Sequence, residues 1–272
     1  MDILRSTGTA LDAILAYKIE EVAQAKSATP LSLLKTRAAA APHPRGFAAS
    51  LDTVAATGEN ALICELKRKS PSAGEILPGA NPAQIASEYE AGGAACLSVL
   101  TDGPSFGGSL SDLEAIRNAV ALPLLRKDFM VDPWQVIEAR AHGADAILVI
   151  MAAVDDGLAH ALCDAALEYG MDVLAEVHDA SELDRARALP VSLLGINNRN
   201  LKTMTTDLVV TESLAPMVPP DMALVAESGV STPQDILRLR DAGARRFLIG
   251  ESLMKRSDRV EAVQALRKAG TI

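Results

Sequence analysis

Eight apolar runs of strand length, each followed by a helical pattern, predict an α/β fold: a (β/α)8, or TIM, barrel with an extra N-terminal helical segment. Three observations carry this. The runs recur roughly every 25 residues, as expected of one strand–helix unit iterated along the chain. Most are continuously apolar, which suits parallel strands covered by helices better than half-exposed antiparallel ones. Helix-starting and helix-stopping residues fall between them. Eight units suit closure into a barrel, with an open doubly wound sheet as the alternative.

The elements follow in order. The first 45 or so residues lie outside the repeat and carry helical patterns over 9–25 and 32–41, broken by Ala-Pro-His-Pro-Arg at 42–46. This extension would cap one end of the barrel. Strands are predicted at 61–67, 95–101, 122–128, 145–151, 171–177, 193–198, 223–228 and 247–250. Asn81-Pro82, Asp132-Pro133 and Thr232-Pro233 each pair a capping side chain with proline at the first helical position. Asp179 followed by Glu182 resembles a reciprocal capping box. Glycines at 93, 143, 170 and 243 stand where a left-handed residue would end a helix before the next strand. No linker divides the repeats, so residues 1–272 are expected to form a single domain with 1–45 as its extension.

Composition narrows the function. Hydrophobic residues make up 49% of the chain, enough for a large core, and the net charge of −9 argues against nucleic acid as a partner. A local basic pocket for a small anion stays open. Cys64, Cys96 and Cys163 are far apart among apolar neighbours, as small buried hydrophobes are. The four histidines, His43, His142, His160 and His178, have no metal-ligand spacing, and solvated positions are expected for His142 and His178. The N-terminus has no cleavable apolar run. The longest apolar stretch, 146–154, falls far short of the ~20 residues of a membrane span. A soluble, cytoplasmic protein is expected.

Polar residues gather at the carboxyl ends of the predicted strands, where barrels of this kind carry their active sites. The first strand ends in Glu65 and Lys67, two apart and therefore on one face. The third ends in Arg126-Lys127-Asp128, the fifth in Glu176, the sixth in Asn197-Asn198-Arg199, the seventh in Glu227-Ser228 and the eighth in Gly250-Glu251. Solvated charges scattered at random would not select strand ends. Lysines and carboxylates around one pocket suit acid–base chemistry on a carbonyl. The small-residue loops Ser228-Gly229-Val230-Ser231 and Ile249-Gly250-Glu251-Ser252 follow strands seven and eight, a frequent phosphate site in this fold. Phe106, in a glycine-rich loop, and Phe129 could wall a planar substrate; packing is the other reading for both.

The motifs ELKRKSPSAGEI, TDGPSFGGS, LLRKDFMVDPWQVIEAR, LAEVHD, GINNRNLKT, AESGV and IGESLM occur in that order from about residue 8 onward. The set resembles the indole-3-glycerol phosphate synthase family of tryptophan biosynthesis. The resemblance implies a barrel that closes the indole ring of 1-(2-carboxyphenylamino)-1-deoxyribulose 5-phosphate with loss of CO2 and water, using neither metal nor cofactor. Its partner would be that small phosphosugar–anthranilate substrate, with no membrane and no obligate protein partner.

By the same resemblance, Lys127 would protonate the ketone oxygen and Glu176 would stabilise the cationic intermediate. Glu65 and Lys67 would serve ring closure and dehydration, while Asn197 and Ser228 orient these groups. Ser70, Arg199, Gly229, Gly250 and the backbone of Glu251 would hold substrate and phosphate, with Phe106 and Phe129 flanking the anthranilate ring. Which lysine acts at which step is left open. Two positions depart from the usual pattern: Gly107 follows Phe106 where many relatives carry glutamine, and Trp134 replaces a more usual tyrosine. A phosphosugar isomerase or Schiff-base aldolase on the same barrel is the rival chemistry. A non-catalytic phosphometabolite binder would keep the anion loops but would not need five ionisable strand ends.

Overall fold

The computed structural model describes residues 4–271; the first three residues and the last of the expected domain lie outside them. Eight strands form a closed, all-parallel barrel. They are β1 (Ala61–Leu66), β2 (Cys96–Leu100), β3 (Leu124–Lys127), β4 (Ala146–Ile150), β5 (Asp172–Val177), β6 (Leu193–Asn197), β7 (Ala223–Glu227) and β8 (Arg246–Ile249). Each pairs with its neighbour in sequence, and β1 closes on β8 with Ala61 opposite Arg246. All eight fall on the predicted runs, so the open sheet is excluded.

The cap chemistry explains where helices start. Asn81 accepts the backbone N–H groups of Ala83 and Gln84 at the head of Pro82–Gly92, and Thr232 and Asp235 form a reciprocal box at the head of Pro233–Asp241. At Asp132-Pro133 the helix begins one residue later than expected, at Trp134, with Asp132 accepting the Trp134 N–H. Asp179 accepts the Glu182 N–H, but Glu182 does not return the bond to Asp179; its carboxylate takes the His178 N–H instead. Gly93, Gly143, Gly170 and Gly243 all have positive φ, as the helix ends before β2, β4, β5 and β8 require.

Three helices precede the barrel: α1 (Ala10–Ala28), α2 (Leu31–Ala40) and α3 (Phe47–Ala56). The sequence reading assigned no element to 47–56. In the structure α3 closes the amino end of the barrel, with Phe47 and Leu51 fully buried and the Ala48 N–H donated to Asp172 at the start of β5. Helix α1 lies at the opposite end. Its Lys18, with no solvent exposure, sits 3.0 Å from both Asp102 and Asp128, and Tyr17 donates to Asp102 at 2.8 Å. Burial alone would lower the Lys18 pKa, but Asp128 and Asp102 outweigh it and hold the ammonium above the ordinary lysine range. The extension thus reaches both ends of the barrel. Among the described residues, no helix is long and apolar enough to cross a membrane.

Candidate active site

Strand alternation decides which charged residues enter the barrel. Arg126 and Lys127 are adjacent on β3 and point opposite ways. Arg126 turns outward to Glu138 on the following helix, at 2.9 Å, and to Asp128, at 3.0 Å. Lys127 turns inward, where its Nζ lies 2.8 Å from Glu176 on β5 and 3.1 Å from Glu227 on β7. On β1 and just beyond it, Glu65 and Lys67 share a face and pair with each other at 2.7 Å.

These groups open onto one cavity of about 480 Å3 at the carboxyl end. Every site residue expected from sequence lines it: Glu65, Lys67, Ser70, Phe106, Lys127, Phe129, Glu176, Asn197, Arg199, Ser228, Gly229, Gly250 and Glu251. Phe106 and Phe129 face each other with ring centroids 6.0 Å apart, forming an aromatic wall. Trp134 is instead buried, as a packing residue is. Gly107 has φ 66 and ends the short helix that carries Phe106, a conformation glycine adopts without strain.

Two glycines make room for carboxylates. A Cβ on Gly195 of β6 would overlap Glu227 Oε1, and one on Gly250 would overlap the Glu65 side chain. At the end of β7, Ser228 has φ 63 and Gly229 φ 84, so two consecutive left-handed residues turn the chain sharply. A non-glycine residue there costs of order 1–3 kcal/mol and persists only where its surroundings enforce it. The loops after β7 and β8 are joined by Ser252 Oγ, which donates to the Val230 carbonyl at 3.1 Å. Arg199 reaches across to Ser72, and Glu251 holds Lys255 at 2.6 Å. Lys255 holds the Glu251 carboxyl below the usual range, and Lys67 and Arg199 add to this, so cations converge beside the β7 and β8 loops.

The electrostatics of the lysine and its two carboxylates are unequal. Burial pushes the Glu227 carboxyl up to about 8; Lys127 opposes this and the like charge of Glu176 reinforces it. For Glu176 burial also raises the pKa, but Lys127, then His178, overcome it and hold the group down to about 2. Lys127 loses stability as an ion through burial and regains more from Glu176, Glu227 and Glu65, so its ammonium is held above the ordinary lysine range. With Glu227 protonated, Lys127 faces one carboxylate, Glu176, rather than two. Near pH 7 the cluster therefore offers a fixed cation, a fixed anion and a carboxylic acid side by side.

Sequence reasoning left several groups out of the site. Glu227 stood at a predicted strand end but was given no role; its burial and its sharing of Lys127 are visible only once β3, β5 and β7 are brought together. Lys255 and the α1 residues Leu11 and Ile14 also line the cavity. His178 was expected to be solvated, and this is corrected: its side chain is 11% exposed and Nε2 lies 3.4 Å from Glu176. It follows Glu176 by two residues and so points the same way. Cys64, Cys96 and Cys163 are buried free thiols, as expected.

The closed barrel and the paired ions at its carboxyl end define a class, the (β/α)8-barrel enzymes. The indole-3-glycerol phosphate synthase family profile matches residues 11–266, and the chain belongs to that family. An indole-3-glycerol phosphate synthase of Hyphomonas neptunium is 60% identical over 262 residues, 96% of this chain and 99% of that one. Another of Rhodospirillum rubrum is 59% identical over 90% of this chain and 94% of that one. Solved structures that share the fold include a 3-hexulose-6-phosphate synthase (TM-score 0.63, 16% identity, 77% of this chain and 99% of that one). The tryptophan synthase α subunit of Legionella pneumophila is a second (TM-score 0.60, 13% identity, 84% and 98%).

Proposed function

We propose that the chain closes the indole ring of 1-(2-carboxyphenylamino)-1-deoxyribulose 5-phosphate, releasing CO2 and water to give indole-3-glycerol phosphate in tryptophan biosynthesis. One observation carries the reading: Lys127 lies between Glu176 and Glu227 on the floor of a cavity that has an aromatic wall and ends at the β7 and β8 loops. A ring, a ketone and a terminal phosphate need those three surroundings in that arrangement.

Lys127, charged at working pH, donates its proton to the ketone oxygen as the aromatic carbon attacks. Attack destroys aromaticity and leaves positive charge on the ring nitrogen, and the ionised Glu176 stabilises it in a site that excludes water. Loss of CO2 restores the ring. Dehydration then needs an acid for the departing hydroxyl and a base for a ring proton; the Glu65–Lys67 pair and Glu227 are the groups within the cavity able to serve. Asn197 and Ser228 orient these groups, and Ser70, Arg199, Gly229, Gly250 and the Glu251 backbone hold the sugar phosphate. Phe106 and Phe129 flank the anthranilate ring. One domain with residues 1–45 as its extension, a cytoplasmic location and a small-molecule substrate without a protein partner belong to the same reading; the core shared by α1 and the barrel supports the first of these.

The test is direct. Purified protein mixed with the carboxyphenylamino sugar phosphate, with no metal added, should generate indole fluorescence and one CO2 per product. No product would overturn the proposal, and a borohydride-trapped lysine adduct would move the chain to the aldolases.

A further inference from the structure

We infer that His178 and Glu182 form a proton relay that recharges Glu176 from a side pocket distinct from the substrate cavity. This rests on the reaction proposed above, whose balance demands such a supply. The substrate carries a ring carboxylate and a phosphate dianion, three negative charges. The products are the phosphate dianion of indole-3-glycerol phosphate, neutral CO2 and water. Each turnover therefore consumes one proton, which must reach carboxylates that are 3% (Glu176) and 1% (Glu227) exposed even before substrate covers them.

The geometry at His178 supplies a path. Glu182 accepts the His178 backbone N–H at 2.8 Å and pairs with its ring Nδ1 at 3.1 Å, which fixes the ring and assigns the Nδ1 proton to that bond. Ring Nε2 is buried, has no hydrogen-bond partner among the described residues, and lies 3.4 Å from Glu176 Oε1. A neutral ring in this tautomer would turn a bare lone pair toward a carboxylate oxygen. Two buried acceptors facing each other are costly, so a proton belongs between them, on Nε2 or on Oε1. Both states are steps of a relay.

The two sides of His178 also differ. Glu176 opens onto the substrate cavity, whereas His178 and Glu182 line a second cavity of about 440 Å3. The exposed residues Arg5, Asp179 and Lys202 stand on that cavity's walls, so water reaches it, and Asn197, Arg199 and Leu201 border both cavities. From the barrel side His178 faces Glu176, with Lys127 and Glu227 behind it. Burial would lower the His178 pKa, but Glu182 and Glu176 outweigh it and keep the imidazole more basic than usual.

Lys127 gives its proton to the substrate oxygen and becomes a neutral amine. Glu176 Oε1 takes the Nε2 proton of His178, the electron pair of that N–H bond staying on nitrogen; rotation of the neutral carboxyl group carries the O–H round to Lys127, whose amine takes the proton and leaves Glu176 a carboxylate again. The neutral His178 then takes a proton at Nε2 from hydronium or buffer acid through the water of the side pocket, and one proton has entered.

Steady-state kinetics across about pH 6 to 9 test this with the carboxyphenylamino sugar phosphate. Wild-type turnover must be present; its absence refutes the functional reading, not the relay alone. His178→Gln should lower kcat about 10²-fold, the lower end for losing one acid–base partner, with KM little changed. Added imidazole should restore turnover in proportion to its protonated form. An unchanged kcat and pH profile, or a loss that imidazolium does not restore, overturns the relay. Should that variant fail to fold, Glu182→Gln keeps the ring in place while removing its charged partner. NMR titration of the imidazoles should then find His178 less basic than in wild type, with the kcat profile shifted to lower pH alongside it; no shift in either overturns the proposal.

Discussion

At the amino end of the barrel, Asp145 is as deeply buried as any carboxylate in the molecule, and every lone pair it has is used. It accepts the Arg45 and Leu124 backbone N–H groups at 2.8 and 2.7 Å and both oxygens meet Arg117. At the carboxyl end, Glu227 is equally buried, yet it shares one lysine with Glu176 and leaves Oε1 without a partner. A satisfied buried ion holds structure, because nothing further is gained by moving a proton to it. An under-satisfied one stores the capacity to bind a proton or a ligand. The same fold carries both at opposite ends of the same strands, and the difference separates the scaffold from the reagent.

The sharpest way to break this comparison is Lys127→Ala. Turnover should fall about 10²–10⁴-fold, the usual span for one acid–base partner, while the protein stays folded. Full activity in rapid-mixing assays would remove Lys127 from the chemistry. The converse experiment is Asp145→Ala, which strands Arg117 and two backbone N–H groups. It should cost about 3–5 kcal/mol in denaturant unfolding while kcat of the folded fraction is kept. A drop in kcat with normal stability would erase the distinction between the ends.

Smaller effects sharpen the contrast. Glu227→Gln should lower activity but raise the melting temperature. The wild-type carboxyl has its folded pKa raised from 4.5 to about 8, so its favourable contribution is present below pH 4.5 and is lost as pH rises toward 8. The gain from glutamine should accordingly be absent near pH 4.5 and grow up to about pH 8, which calorimetry at several pH values would read. Glu176 has the opposite sign: depressed to about 2, it stabilises the fold above pH 4.5 and loses that contribution as pH falls toward 2. Least of all, Lys26→Ala, which breaks an exposed 2.7 Å pair with Asp132, should change stability by about 0–1 kcal/mol, less still in high salt.

The barrel was legible because a parallel strand covered on both sides must be largely apolar, and 146–150 and 223–226 could be little else. Helix starts were legible where a side chain does the capping, as at Asn81 and Thr232. Helix α3 was not, since Gly46 caps it without a side-chain bond and its apolar residues meet their partners only across the barrel's amino end. Lys127 and Glu176 could be singled out from strand position and from motif resemblance. Glu227 and His178 could not be weighed in the same way: their character comes from burial against groups 100 and 2 residues away, respectively, and a list of strand ends does not report burial.

The substrate cavity takes one wall from Leu11 and Ile14 and another from Gly250 and Ser252. These residues come from opposite ends of the described residues. The cavity is therefore complete only once β8 has closed on β1, and a ligand held there favours the closed barrel by mass action.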